Sequence, residues 1–344
     1  MNSPDAALGT SPVWLPANQP LQFYAGGSGI VALRGAGNAR LDHGPEDWVA
    51  STTTRFGQPT DGLTRLDDGQ WLRDAVRLHP ENWLGRSHAT SFGADPAVLV
   101  KLLDAGQRLP VHCHPSNEFA RAHMNSHYGK TEAWIVVGTP ADGGQVHIGF
   151  TGDVSASTVA DWVAEQDTAA MLSALNPVTV RAGDTVFVPA GLPHAIGAGV
   201  FIVELQQPTD LSVTLEWKDF LDSEAGGHLG FGFDVVLGCV DRSGWDAGRL
   251  ASIVRHTEDA GPVTDLLGPD AAAFFRAQRI RGGAALDPSF SVLVVLDGSG
   301  TLSTGQNSVP LRKGDTYVLP HRAGESIVDG DVTAIRCLPP EVPQ

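Results

Sequence analysis

Three histidines stand at spacings that suit a metal ion. His112 and His114 flank Cys113, and His194 follows the turn Pro189-Ala190-Gly191 with two residues between. Alternate side chains of a strand share a face, so His112 and His114 project together while Cys113 turns away. Gly183-Asp184 reads as a tight turn and residues 185–189 as a short strand of apolar and β-branched residues. Residues 189–191 then read as a second turn, which delivers His194 to the start of the next strand. Two neighbouring strands can bring these three imidazoles to one point, the arrangement of a mononuclear metal site. A His-x-His alone says little, because histidines also serve as hydrogen-bonded core residues. It is the third histidine, at a spacing fixed by two turns, that gives the pattern its weight.

Around the histidines, residues 98–103 form an apolar run broken only by Lys101 and bounded by Asp104-Ala105-Gly106. The run reads as a buried strand leading to His112. Residues 115–129 are polar and read as an insertion with a short helix over 118–123. Strands are expected at 132–137, 201–205 and 212–217. Helical composition marks 71–78, ended by Pro80, and 155–175, with Val159, Trp162, Val163, Met171 and Leu172 as the apolar side. Residues 245–255 and 271–277 also read as helical. Residues 1–20, rich in Pro, Asn and Ser, read as a loose arm. Late in the chain, Gly314-Asp315-Thr316-Tyr317-Val318-Leu319-Pro320 repeats Gly183-Asp184-Thr185-Val186-Phe187-Val188-Pro189. The residue five beyond the second proline is Glu325 instead of a histidine, and no His-x-His precedes it. Two units are therefore expected, a metal-binding one at 21–238 and a metal-free one at 239–344.

The length of 344 residues suits about two domains, and 40 glycines with 23 prolines suit many short strands and turns. A net charge of −16 argues against nucleic acid or an anionic membrane as partner, so an anionic substrate needs a local cluster of cations. No apolar run approaches the roughly 20 residues of a membrane span, and residues 1–22 lack a basic start followed by an apolar core. Three dispersed cysteines fit a reducing cytoplasm better than a disulfide framework.

Gly106 followed after five residues by His112-x-His114, and Gly183 followed by Pro189-x-Gly191 and His194, resemble the two motifs of the cupin superfamily. The fold implied is mainly β, two jelly-roll cupin barrels with a few short helices. Residues 99–105, His112-Cys113-His114-Pro115, Gly129-Lys130-Thr131-Glu132-Ala133-Trp134, residues 188–197 and residues 204–210 together resemble type I mannose-6-phosphate isomerases in their short bacterial form. That resemblance implies a metal-dependent isomerase interconverting mannose 6-phosphate and fructose 6-phosphate, a small-molecule sugar phosphate as partner with neither nucleic acid nor membrane, and one divalent metal ion. Its implied ligands are His112, His114, His194 and Glu132. General cupin spacing nominates Glu118 instead, but Glu132 opens an apolar strand whereas Glu118 lies in the polar insertion. Three imidazoles and a carboxylate suit Zn²⁺, and Fe²⁺, Mn²⁺ and Ni²⁺ accept the same set. Lys130, two residues before Glu132, is the candidate catalytic and substrate-binding cation, with Lys101 a second binding candidate. His123 and His127 in the insertion are candidates for a mobile acid/base pair.

Two positions depart from the isomerase pattern. His112 stands where glutamine is usual, and Thr214 stands where an arginine is common, with Lys218 four residues further on. These departures keep two other classes open. One is a cupin enzyme of a different kind, an oxygenase or sugar epimerase; the other is a non-catalytic carbohydrate-binding cupin.

Overall fold

A computed structural model describes residues 7–35, 42–258, 260–305 and 307–342. Among them the chain is mostly β with short helices, in three antiparallel sheets of eight, six and five strands. No helix among the described residues is long and apolar enough to cross a membrane.

The six-stranded sheet carries Glu46–Val49, Leu99–Asp104, Glu132–Gly138, Asp184–Val188, Phe201–Gln206 and Val254–His256. Period-two alternation gives it two buried faces of opposite character. Val100, Leu102, Ala133, Ile135, Val203 and Leu205 form one face and pack with Val292, Val294, Val318 and Ile335 of the eight-stranded sheet in a shared apolar core. On the other face Lys101, Glu132 and Glu204 alternate with these residues and turn toward the five-stranded sheet. That sheet holds His112–Cys113, Gly144–Phe150, Leu175–Val180, His194–Ile196 and Val213–Thr214. Val111, Cys113, Ala195 and Val213 pack behind it with the helical segments, so the histidines between them point forward. The polar groups thus line a space between two sheets, while Trp134, Val136, Val146, Ile148, Val186 and Ile202 fill the rest of it.

Several expected elements are placed differently. Residues 1–6 of the expected loose arm lie outside the described residues, but Val13–Trp14 is a strand paired with Tyr317 and Val318, and Leu15 is buried. Residues 271–277 are not a helix. A single 3₁₀ turn, Pro269–Ala271, leads into the strand Arg276–Arg281, which pairs along Thr333 to Leu338; long-range pairing overrides local Ala/Phe composition. The expected helix at 155–175 is two helices, Ala156–Glu165 and Thr168–Ala174, divided at Gln166, whose φ of 54° ends the first. Pro80 does follow the end of one helix, Leu72–Leu78, but it also opens the next, Pro80–Leu84. Beyond residue 239, where the second unit was expected to begin, Val254–His256 pairs with Asp184–Thr185–Val186 at the edge of the six-stranded sheet.

Candidate metal centre and substrate cavity

The antiparallel register sets His112 opposite His194 on one side and Thr214 on the other. The rings of His112 and His194 lie 4.1 Å apart, and His114 lies 5.0 Å from each. All three are buried, and one ring nitrogen of each falls within 4.8 Å of the others. Each Nδ1 meets a backbone carbonyl: His112 with Pro110 at 2.8 Å, His114 with Leu211 at 2.9 Å and His194 with Leu192 at 2.8 Å. A carbonyl only accepts, so each Nδ1–H donates and the Nε2 lone pair is left facing inward, the ligating tautomer.

Glu132 reaches the trio from the opposite sheet. Its Oε2 lies 3.1 Å from His114 Nε2 and its Oε1 3.2 Å from His194 Nε2. Trp134 Nε1–H donates to Oε1 at 2.9 Å. Yet Nε2 of His114, Nε2 of His194 and Oε2 of Glu132 are all buried with no hydrogen-bond partner. Leaving such atoms unsatisfied costs about 1–3 kcal/mol each. Three convergent lone-pair donors without a proton between them fit a divalent cation. Burial, with help from the neighbouring imidazoles, holds His112 well below its ordinary pKa; burial and the Lys130 ammonium bring His114 to about 3. Both rings are neutral at pH 7, as ligands must be. Burial opposes ionisation of Glu132, but His114 and Lys130 outweigh it and hold the carboxyl well below its usual range. Glu118 is exposed on the helix Asn117–His123, away from this cluster.

A cavity of about 210 Å³ opens beside the histidines. Lys130 and Lys101 both line it. Gly129 makes the approach of Lys130 possible, since a Cβ there would collide with the carbonyl of Pro115, which accepts the Lys130 N–H at 2.9 Å. Lys130 Nζ stands 3.3 Å from Glu132 Oε2 and 3.9 Å from Glu204 Oε1. Lys101 Nζ stands 3.3 Å from Glu46 Oε2 and 4.7 Å above the Trp48 ring. Burial tends to lower the Lys101 pKa, but Glu46, Glu204 and Asp210 more than offset it and keep the group charged. His123 and His127 are exposed and do not line the cavity, nor does Lys218; Thr214 does, without charge.

Five ionisable cavity groups escaped assignment from sequence: Tyr24, Glu46, Arg55, Glu204 and Asp210. Glu46 accepts hydrogen bonds from Tyr24 and Trp48. Burial pushes Glu204 up to about 8, with Glu132 and Glu46 adding to the effect and the two lysines opposing it. Burial likewise raises Asp210. Glu204 and Asp210 sit inside the motif that carries the family resemblance, but nothing in their spacing marked them as site residues. Tyr24 and Glu46 come from a turn-rich stretch without periodicity.

A buried three-imidazole group that could hold a metal ion, on an antiparallel sheet and facing a cavity with its own cations, marks a mostly β protein with a candidate metal centre, and comparison with known proteins agrees with this class. Residues 275–339 match the family profile described as mannose-6-phosphate isomerase, cupin domain. The chain is 30% identical over 243 residues to mannose-6-phosphate isomerase ManA of Bacillus subtilis (strain 168), spanning 68% of this chain and 72% of that protein. It is 29% identical over 268 residues to the mannose-6-phosphate isomerase of Streptococcus mutans serotype c, spanning 74% and 79%. The crystal structure of the Bacillus subtilis mannose 6-phosphate isomerase superimposes with a TM-score of 0.75 at 22% identity, over 95% of this chain and 99% of that one. A mannose 6-phosphate isomerase bound with zinc and yttrium gives 0.72 at 15% identity, over 96% and 100%. The chain belongs to the mannose-6-phosphate isomerase family.

Proposed function

We propose that the protein is a metal-dependent aldose-ketose isomerase that interconverts mannose 6-phosphate and fructose 6-phosphate in the cytoplasm. The observation that carries this reading is the set of unsatisfied Nε2 and Oε2 atoms on the wall of a cavity that also presents two lysines and the buried carboxyl of Glu204. His112, His114, His194 and Glu132 would hold the ion, and Zn²⁺ suits a set of three neutral nitrogens and one carboxylate. When bound, it supplies a Lewis acid for the sugar oxygens.

Isomerisation removes a proton from C2 of the aldose and returns one to C1, with an enediol between. Lys130, which stands 3.3 Å from Glu132 and 3.9 Å from Glu204, would donate a hydrogen bond to the oxygen on which charge develops. Glu204 shares the same space, and burial raises its pKa toward the range that suits acid/base work near neutral pH. Lys101, locked between Glu46 and Trp48, supplies fixed positive potential. The fold reading that accompanies this is two jelly-roll barrels, the first extending to His256 because that strand completes its sheet. The second barrel would hold no metal, since among the described residues the convergent ligand group is His112, His114 and His194.

The test is turnover of mannose 6-phosphate by chelator-stripped protein reloaded separately with Zn²⁺, Mn²⁺, Ni²⁺ and Fe²⁺. Activity restored by at least one metal is expected. Absence of turnover with every metal at confirmed occupancy, or full activity without metal, overturns the reading.

A further inference from the structure

We propose that Arg55 is the residue that anchors the phosphate of the substrate. The proposal takes its substrate from the isomerase reading. A hexose 6-phosphate brings nearly two negative charges at neutral pH, and the cavity must meet them with cations. Three cations line it: Lys101, Lys130 and Arg55. The lysine side chains are only 2% and 6% exposed, and each is held at 3.3 Å by a carboxylate. Glu46, Glu132, Glu204 and Asp210 share that inner space, so a dianion placed there would face four carboxyl groups.

Arg55 sits differently. Its side chain is 29% exposed, and its partner Asp61 is 42% exposed, joined by a single Nη1–Oδ2 contact of 3.0 Å. A guanidinium has five N–H donors in a planar fork, and that contact uses one of them. The fork can therefore take two phosphate oxygens while its partner is released to water at little cost. The loop is already shaped for this. Arg55 N–H donates to Asp61 O at 2.9 Å, Gln58 N–H returns to Arg55 O at 2.9 Å, and Phe56 N–H donates to Asp210 Oδ2 at 3.1 Å, tying the loop to the cavity wall. Arg55 also borders an outer hollow lined by Arg73 and Arg77, whose charges Asp74 meets in part. Asp95 and Asp210 line the same hollow, so its charges are mixed, and Arg55 is the one of these three arginines that also lines the cavity.

The probe is glucitol 6-phosphate, which keeps the phosphate but lacks the carbonyl needed for turnover, with glucitol as control. Calorimetry on the zinc-loaded full-length chain compares wild type, Arg55→Ala, Arg55→Lys and Asp61→Asn. Arg55→Ala is expected to weaken glucitol 6-phosphate binding about tenfold or more, the equivalent of one charged hydrogen bond. Arg55→Lys should recover part of the loss. Asp61→Asn, which breaks the same ion pair but keeps the cation, should bind as tightly as wild type. In turnover, Arg55→Ala should raise KM for mannose 6-phosphate with a much smaller change in kcat. Unchanged affinity in Arg55→Ala, equal losses in Arg55→Ala and Asp61→Asn, or a wild type that binds glucitol and its phosphate alike would each overturn the proposal. Arg55-dependent binding by a metal-loaded protein that does not isomerise mannose 6-phosphate would refute the isomerase reading and leave the anchor standing.

Discussion

The segment from Gly183 to His194 and its counterpart from Gly314 to Glu325 begin alike and end differently. Both open on a glycine in the left-handed region, φ 95° and 86°. In both, the aspartate that follows accepts a backbone N–H from three residues earlier, Arg181 to Asp184 and Arg312 to Asp315, each at 2.8 Å. Both continue as a buried strand and reach a proline. After Pro189 a turn through Gly191 sets His194 inside, at the start of a strand. After Pro320 a 3₁₀ turn, His321–Ala323, intervenes, and Glu325 emerges exposed while Ser326 takes the buried position. The interior differs to match. Behind the first segment lie imidazoles, carboxylates and lysines; around the second, Leu293, Val295, Tyr317, Leu319 and Val328 close an apolar core. The turn machinery is shared, and the two segments differ in the residue they deliver inward, a histidine in one and a serine in the other.

The strongest way to break this contrast is at the delivered residue. His194→Ala or Glu132→Ala should empty the site and lower turnover by about a thousandfold or more. Glu325→Ala should leave metal content and rate unchanged and alter stability by about 0.5 kcal/mol at most. Metal analysis beside initial rates checks both, and loss of metal in Glu325→Ala would abolish the distinction.

The two interiors should also respond differently to mutation. Lys101 and Glu46 form a buried pair, so Lys101→Met alone should cost about 3–5 kcal/mol by stranding a carboxylate, while the double variant with Glu46→Gln should recover most of that stability and still lose activity. In the apolar interior, Leu293→Ala should cost about 2–5 kcal/mol and leave turnover per folded molecule intact. Urea unfolding of the three variants decides the matter. A Leu293→Ala protein that folds well but turns over poorly would show that the second unit does more than cover the first sheet.

What the sequence made legible follows the range of the interactions involved. The three histidines converge because strand alternation and glycine turns act over a few residues, and Lys101 stands out as the one charge in an apolar run. The strand at Arg276–Arg281 was hidden because its partner begins some fifty residues later, and Val13–Trp14 because its partner lies three hundred residues away. Arg55, Glu46 and Tyr24 belong to the cavity by tertiary placement alone. No period or motif marks them, and only the return of the early loop onto the Phe201–Gln206 region brings Phe56 to Asp210.

A smaller effect is expected at a charged pair on the eight-stranded sheet. Arg336 is buried and donates from Nη1 to Asp287 Oδ1 at 2.7 Å and from Nη2 to the Asp287 carbonyl at 2.6 Å, whereas the Asp287 side chain is 67% exposed. Partial burial raises the Asp287 pKa, but the hydrogen bond and charge of Arg336 outweigh it, and the folded-state value lies below the ordinary one. The folded state therefore binds fewer protons than the unfolded state in acid. The stabilisation is complete above the unfolded pKa of about 3.9 and is lost as pH falls through the lower folded value. Solvent screening at an exposed carboxylate limits it to about 0.5–1 kcal/mol. The stability gap between wild type and Asp287→Asn, measured by urea unfolding, should hold steady from pH 7 to 5 and shrink as pH drops toward 3. A gap that stays constant into acid would mean that Arg336 is held by the Asp287 carbonyl and Ser291 rather than by the carboxylate.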